Sequence, residues 1–321
     1  MDAWYAGRRA VVTGGLGFIG GHLSRRLVEA GAGVSIVTPS RDRYPDTAVS
    51  LERAGARIVC GDVRDASPWR ASLDGASVVF HLAARSGATA SMADPSVDLD
   101  VNCRGTLTLL DTMRAACPDA KVIVPGSRLQ YGRPDALPVA EDSAMTPLCV
   151  HAVHKSTVEQ YLHVYRHNYG LRFTALRLTN PYGPGQPRDR VAYGIVNRFV
   201  HLALAAEPLP VFGDGAQLRD YVYIDDVVNA LMMAGSDERS DGGTYNVGSG
   251  VGTRLVDVAT AICEVAGSGR VTFVPWPHAA AQIETGDFVA DVSRLAADVG
   301  WRPCVSLDQG IRRTIAAYRR G

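Results

Sequence analysis

No stretch of this chain is apolar for long enough to cross a bilayer, and the amino terminus, Met1 to Arg9, lacks the hydrophobic core of a secretory signal. A cytosolic protein is therefore expected. Neither charge is in excess: 33 basic side chains stand against 33 acidic ones, which removes the usual reason to propose nucleic acid or a membrane surface as the partner. Cysteine is scarce and scattered. Cys60, Cys103, Cys117, Cys149, Cys263 and Cys304 form no C-x-x-C pair and have no histidine at zinc spacing, so they are expected in the core as small apolar side chains. Internal repeats and low-complexity tracts are absent too. What is present is ordinary for a globular protein, with 46% apolar and 21% charged residues. A length of 321 residues suits one large domain or two smaller ones.

The first half alternates short apolar runs with helical patterns, the signature of βαβ units and a parallel sheet. Residues 10–13, 34–38, 57–60, 78–81, 122–125 and 173–176 read as successive strands, each mostly apolar, as a sheet covered on both faces requires. Residues 22–30, 97–116 and 152–169 carry apolar side chains at helical spacing. The fold class predicted is α/β: a doubly wound parallel sheet of Rossmann type over residues 1–178, returning near 222–248. A smaller substrate-binding region covers 179–221 and 249–321. It opens with the glycine- and proline-rich loop Pro181 to Pro187 and a helical run over 191–205. Further on come strands near 209–212, 221–223 and 244–247, a helix after Asp225, and a capping-box pattern, Ser306 to Gln309, that starts a final helix.

Between the first strand and helix lies Gly14-Gly15-Leu16-Gly17-Phe18-Ile19-Gly20. The first glycine permits the tight turn, the second lets the backbone approach a pyrophosphate, and the third allows the helix to pack on the strand. The diphosphate then sits on the unpaired N–H groups of the helix start. Asp62 and Val63 follow the third strand, where an adenine contact would fall. The second strand ends in Thr38, with Ser40, Arg41 and Arg43 beyond it, and has no carboxylate for the ribose hydroxyls of NAD. These donors suit a 2′-phosphate as well, so both NAD and NADP stand open, beside the plain reading of the arginines as solvated loop charges.

Further along come His81-Leu82-Ala83-Ala84, Ser127-Arg128-Leu129-Gln130-Tyr131-Gly132, Lys155, Arg177-Leu178-Thr179-Asn180-Pro181-Tyr182-Gly183-Pro184, Arg219-Asp220-Tyr221, Asn246-Val247-Gly248 and Gly300-Trp301-Arg302-Pro303. With the glycine loop, this ordered set resembles the extended short-chain dehydrogenase/reductases, specifically the NAD-dependent epimerase/dehydratase family that acts on nucleotide sugars. The resemblance implies a hydride shuttle between a sugar carbon and the cofactor. It implies that Leu82, Ala83 and Ala84 line the cofactor, that Ser127 hydrogen-bonds the reacting hydroxyl, and that Lys155 binds the nicotinamide ribose. Asn180 and Arg219 would hold a diphosphate and Asp287 a ribose. A homodimer through the helices at 97–116 and 152–169 is also implied.

The chain departs from the family pattern in three places. His151 stands where the catalytic tyrosine belongs, one turn before Lys155, so both can serve one site. Neutral imidazole accepts a proton near pH 7 without first being ionised, yet the imidazolium formed would face Lys155 and an oxidised nicotinamide. His151 as base, as acid with reduced cofactor, or as inert filler all stand open. Next to Ser127, Arg128 and Leu129 replace the acidic pair of the 4,6-dehydratases, which argues against that elimination. Glu284 replaces a second arginine, and a carboxylate there repels a diphosphate; Arg85 and Arg188 are candidates to compensate.

The reading of function is an NAD(P)-dependent epimerase or reductase of a nucleoside-diphosphate sugar. The alternatives are a catalytically silent nicotinamide-binding protein and a non-redox lyase or isomerase using His151 as base. No metal site is expected, because no carboxylate or cysteine in the sequence joins His151 with His154, or His163 with His167. Cys149 reads as structural, and Tyr131, a spare phenol near Ser127, as a packing residue.

Overall fold

The computed structural model describes residues 1–186 and 194–320. Arg188 and the start of the helical run expected over 191–205 lie outside the described residues; within them the helix spans Ile195–Leu204.

Six strands alternate with helices: β1 (Arg9–Thr13), β2 (Gly33–Thr38), β3 (Arg57–Cys60), β4 (Ala76–His81), β5 (Lys121–Ser127) and β6 (Arg172–Leu178). The chain continues through β7 (Asn180–Tyr182), β8 (Pro208–Phe212), β9 (Leu218–Tyr223), β10 (Gly243–Val247), β11 (Gly252–Arg254) and β12 (Arg270–Val274). Seven of these form one parallel sheet in the order β10-β6-β5-β4-β1-β2-β3. The direction of winding reverses between β1 and β4. In doubly wound sheets the crevice outside the carboxyl ends of the strands, at this switch point, is where ligands bind.

Side chains of successive strand residues point to opposite faces, and both faces here are apolar. Val12, Ile36, Val78, Phe80 and Ile123 pack under the helices Phe18–Glu29 and Ile224–Ser236. Val11, Val37, Val79, Val122 and Val124 pack on the other side, under Gly105–Ala116 and Val150–Tyr169. A fully buried lysine is tolerated at the start of β5 because Lys121 Nζ pairs with Asp241 at 2.6 Å and donates to Ser240 Oγ and the Asp237 carbonyl, each at 2.8 Å.

Beyond the main sheet, β11-β9-β7 and β12-β8 make two small sheets that pack with the helices Ile195–Leu204, Leu255–Ala266 and Leu307–Arg320. The last helix begins at the capping box read from the sequence, with Gln309 N–H donating to Ser306 Oγ and Ser306 N–H to Gln309 Oε1.

Two expectations need correction. The continuous helix over 97–116 is three pieces: Pro95–Leu99, a π-helical turn Asp100–Arg104, and Gly105–Ala116. Nor are all six cysteines in the core, since Cys60 and Cys304 are exposed at a strand end and in a loop.

Candidate active site

At the switch point the glycine loop leaves β1 and enters the helix Phe18–Glu29, whose N-cap is Gly17. Gly14 has φ +69°, and a Cβ there would lie 2.8 Å from the Ala83 nitrogen, so the loop and the end of β4 touch backbone to backbone. A Cβ at Gly20 would run into the Gly14 carbonyl oxygen. Only glycine satisfies both positions, and the result is a shallow cradle of N–H groups at a helix start, which fits a dinucleotide pyrophosphate. Phe18 and Ile19 form the first turn of that helix.

The cradle is tied to β4 by a directed chain of hydrogen bonds. Ala83 N–H donates to Thr13 Oγ1 at 3.1 Å, and Thr13 Oγ1 lies 2.8 Å from His81 Nδ1. His81 Nε2 lies 3.1 Å from Thr106 Oγ1, which donates to the Asn102 carbonyl. Because Thr106 has spent its proton, His81 must donate through Nε2 and accept at Nδ1. Burial foremost, with Lys155 nearby, pushes the His81 pKa down to about 3, so the ring is neutral.

Of the other cofactor candidates, Leu82 and Ala84 follow β4 beside Ala83, and Val63 is buried. Asp62 is held by Arg64 through backbone and guanidinium bonds of 2.8 to 2.9 Å. Thr38 donates to the Ser40 carbonyl and Ser40 accepts from Asp42 N–H, which folds the end of β2 into a turn. Arg41 is not a free loop charge: it pairs with Glu52 at 2.6 Å.

Ser127 ends β5. Its Oγ accepts from Leu129 N–H and its N–H donates to Gln130 Oε1, which leaves the hydroxyl proton available. Lys155 Nζ donates to the Pro125 carbonyl of β5 at 2.8 Å, so the helix Val150–Tyr169 is pinned to the strand that ends in Ser127. Burial foremost lowers the Lys155 pKa to about 8. His151, in the first helical turn, donates its backbone N–H to Ser91 Oγ at 2.9 Å, which satisfies one of the orphan donors of a helix start.

Sequence reasoning missed the residue that faces His151. Asp98, fully buried in the short helix Pro95–Leu99, accepts from His154 Nδ1 at 2.6 Å and from Asn102 Nδ2 at 2.8 Å, both on Oδ1. Its Oδ2 lies 3.6 Å from His151 Nδ1. A carboxylate does therefore stand between His151 and His154, contrary to the expectation from sequence. Among the described residues no group of three or more His, Cys, Asp and Glu has the arrangement of a metal site. The i, i+4 spacing of Asp98 and Asn102 was the one signal available, and it says nothing of a helix that begins at Val150.

The substrate candidates are largely engaged with the protein itself. Arg219 forms an ion pair with Glu284 and donates to the Gly286 carbonyl at 2.7 Å. Glu284 is thus not a free carboxylate but the ion-pair partner of Arg219. Asn180 donates to the Asp220 carbonyl and accepts from Arg128 Nε, and Asp287 accepts from Leu218 N–H. Arg85, proposed to compensate, is held by Asp94 at 3.2 Å. Arg128 donates to Thr285 Oγ1 at 2.8 Å and, among the described residues, has no carboxylate in ion-pair contact. The buried Tyr221 hydroxyl has no hydrogen-bond partner among them. The Tyr131 hydroxyl is fully engaged, donating to Asn246 and accepting from Arg177, so it is not free to act on a substrate. Burial raises the Cys149 pKa above the ordinary thiol value, which leaves it a poor nucleophile.

Residues 10–248 match the family described as NAD dependent epimerase/dehydratase. The chain is 34% identical over 313 residues to the UDP-glucose 4-epimerase of Mycolicibacterium smegmatis, covering 97% of this chain and 98% of the relative. Its structure is similar to that of the UDP-glucose 4-epimerase of Thermotoga maritima with UDP-glucose, with a TM-score of 0.88, 30% identity and coverage of 97% and 99%. It is also similar to the Thermus thermophilus UDP-glucose 4-epimerase in complex with NAD, with a TM-score of 0.84, 31% identity and coverage of 97% and 99%. The glycine cradle, the strand order and a likeness that runs the length of the chain lead to one conclusion: this protein belongs to the NAD-dependent epimerase/dehydratase family.

Proposed function

We propose that the protein binds NAD at the β1 cradle and epimerises a nucleoside-diphosphate sugar, with His151 in the proton-transfer position that tyrosine holds in the family. The carrying observation is the placement of Ser127, His151 and Lys155. Lys155 is bonded to β5 two residues before Ser127, and His151 lies one turn before Lys155 on the same helix. When bound, the nicotinamide accepts hydride from a sugar carbon and can return it to the other face. Ser127 orients the reacting hydroxyl, and His151 Nε2 takes its proton. Lys155 holds the ribose. Arg128 and Leu129 supply neither the acid nor the base of a 4,6-elimination, so the sugar leaves with its hydroxyls intact. NAD is favoured over NADP because Glu52 already neutralises Arg41, three residues beyond the end of β2. The functional unit is a homodimer through the faces that expose Val97, Leu99, Val153 and Val164.

The test is to denature the purified protein, identify the released dinucleotide, and follow the interconversion of UDP-sugars by wild type, His151→Ala and His151→Tyr. Replacement by alanine is expected to lower kcat by about 10² to 10⁴, the range of a positioned acid–base group, and tyrosine to restore part of it. Full turnover by His151→Ala excludes the histidine from proton transfer. If no dinucleotide binds, the redox reading fails.

A further inference from the structure

We propose that Asp98 is a positioning residue that fixes the tautomer of His151, so that the two form a carboxylate–imidazole dyad in place of the family's tyrosine. The inference rests on the function proposed above and concerns a residue outside the sequence motifs that carried it.

The argument is one of valence. Asp98 Oδ1 is saturated by His154 Nδ1 and Asn102 Nδ2. Its Oδ2 is sealed from solvent with no hydrogen-bond partner, and so is His151 Nδ1. These two orphan atoms face each other at 3.6 Å, too far for a formed hydrogen bond and close enough for one to form by a small ring movement. A buried carboxylate oxygen without a donor keeps its full desolvation penalty, and His151 Nδ1–H supplies the donor. A proton on Nδ1 leaves Nε2 bare. Nε2 is absent from the sealed, unpartnered atoms, and it is the nitrogen left to meet substrate.

The backbone under the ring is held as well. His151 N–H is capped by Ser91 Oγ, which donates its own proton to the Ala88 carbonyl at 2.7 Å. Asn102 Nδ2 also bonds the Arg85 carbonyl at 2.9 Å, so Asp98 is braced against the loop that follows β4.

The titratable neighbours of His151 are Asp98 from the preceding short helix, and Lys155 and His154 on its own helix. Cys103, in the π-helical turn, is raised to about 11 and stays a neutral thiol. Burial lowers the His151 pKa, Asp98 raises it and Lys155 lowers it again. Burial would also raise the Asp98 pKa, but its contacts with His151, His154 and Asn102 prevail and hold it at about 2. The carboxylate thus stays charged wherever the histidine titrates. In the oxidising step the substrate O–H bond breaks and its proton goes to Nε2. The C–H electron pair leaves with its hydrogen as hydride to NAD, and the C=O bond forms. The proton on Nδ1 stays between ring and carboxylate, and Asp98 balances the imidazolium that Lys155 would otherwise oppose.

The test uses full-length protein with ¹⁵N-labelled histidine and added NAD, read by the His151 ring nitrogens and by the pH dependence of kcat and KM. In wild type, His151 is expected as the Nδ1–H tautomer. Asp98→Asn should mix the tautomers, move the acid limb of kcat to lower pH and reduce kcat at least tenfold, with KM within about threefold. Asp98→Glu should recover part of both. In a His151→Tyr background Asp98→Asn should leave kcat within about twofold, because the coupling needs the imidazole. An Nε2–H tautomer in wild type, or an unmoved tautomer and pH limb in Asp98→Asn, overturns the dyad. The nitrogen spectra need no substrate. A dyad present in a protein that turns over no sugar nucleotide would therefore defeat the proposed function and leave this inference standing.

Discussion

A diphosphate reaching Arg219 would find it already holding a carboxylate. Its pair with Glu284 is largely shielded, with side-chain exposures of 9% and 25%, so a phosphate must displace Glu284 rather than add to a free cation. Glu284→Gln keeps the shape and removes the competing charge. It should tighten UDP binding by about tenfold, equivalent to roughly 1.4 kcal/mol, measured by calorimetry at low salt. An unchanged affinity would place Arg219 outside the nucleotide site. Arg128, beside it, is pushed down to about 10, by burial foremost and by Arg219, and still carries its charge at neutral pH. In the sequence Glu284 was visible as a departure and Arg219 as a candidate ligand, but the pairing of the two was not. Arg219 and Glu284 lie 65 positions apart and meet only once β9 and the loop before Asp287 are side by side. Asp98 was invisible for the same reason.

The sheet strands were legible as elements because each is a short apolar run between turn signals, and burial on both faces leaves that pattern no freedom. Less legible were segments whose form depends on partners. The run 97–116 has unbroken helical periodicity, which records that one face is buried but not that a π-helical turn resets its phase at Asp100–Arg104. Strands β7 and β11 have three residues each, too few to show a period. The turn matters because Thr106 lies just after it and receives the His81 ring.

That ring makes the joint between β4 and the glycine cradle sensitive to acid. The unfolded histidine takes up a proton near 6.5 and the folded one near 3. Between those values the unfolded chain binds more protons, so stability falls as pH falls, by about 1.4 kcal/mol per pH unit. The Asp98 contribution lies lower: with its pKa depressed from 3.8 to about 2, it is fully present above 3.8 and is lost only as pH falls further. Urea unfolding at pH 6.5 and pH 5 should therefore show a loss of about 2 kcal/mol from His81, which His81→Asn should lack. Equal losses in the two proteins would place the acid sensitivity elsewhere.

At the scale of the molecule, Val153 and Val164 are exposed on the helix that carries His151 and Lys155, and Val97 and Leu99 are exposed on the neighbouring short helix. The two helices contact each other, and exposed apolar side chains clustered on them are the kind of surface that a second copy covers. Wild type should scatter light as a dimer, and Val153→Asp with Val164→Asp as a monomer of unchanged circular dichroism. A monomeric wild type would refute the dimer. In such a dimer the same helix would supply one face to the partner while carrying His151 and Lys155, which would couple assembly to their positions.

The chain contains only two lysines, Lys121 and Lys155. The first is locked in its ion pair with Asp241. The second has a pKa of about 8 and lies in the cleft. An amine-directed reagent at mild alkaline pH therefore finds one reactive side chain besides the amino terminus, and it is the one expected to hold the nicotinamide ribose. Peptide mapping after brief acetylation should show Lys155 modified and Lys121 spared, with NAD protecting Lys155. If NAD does protect it, Lys155 would be the one side-chain label for cofactor occupancy, with no engineered residue.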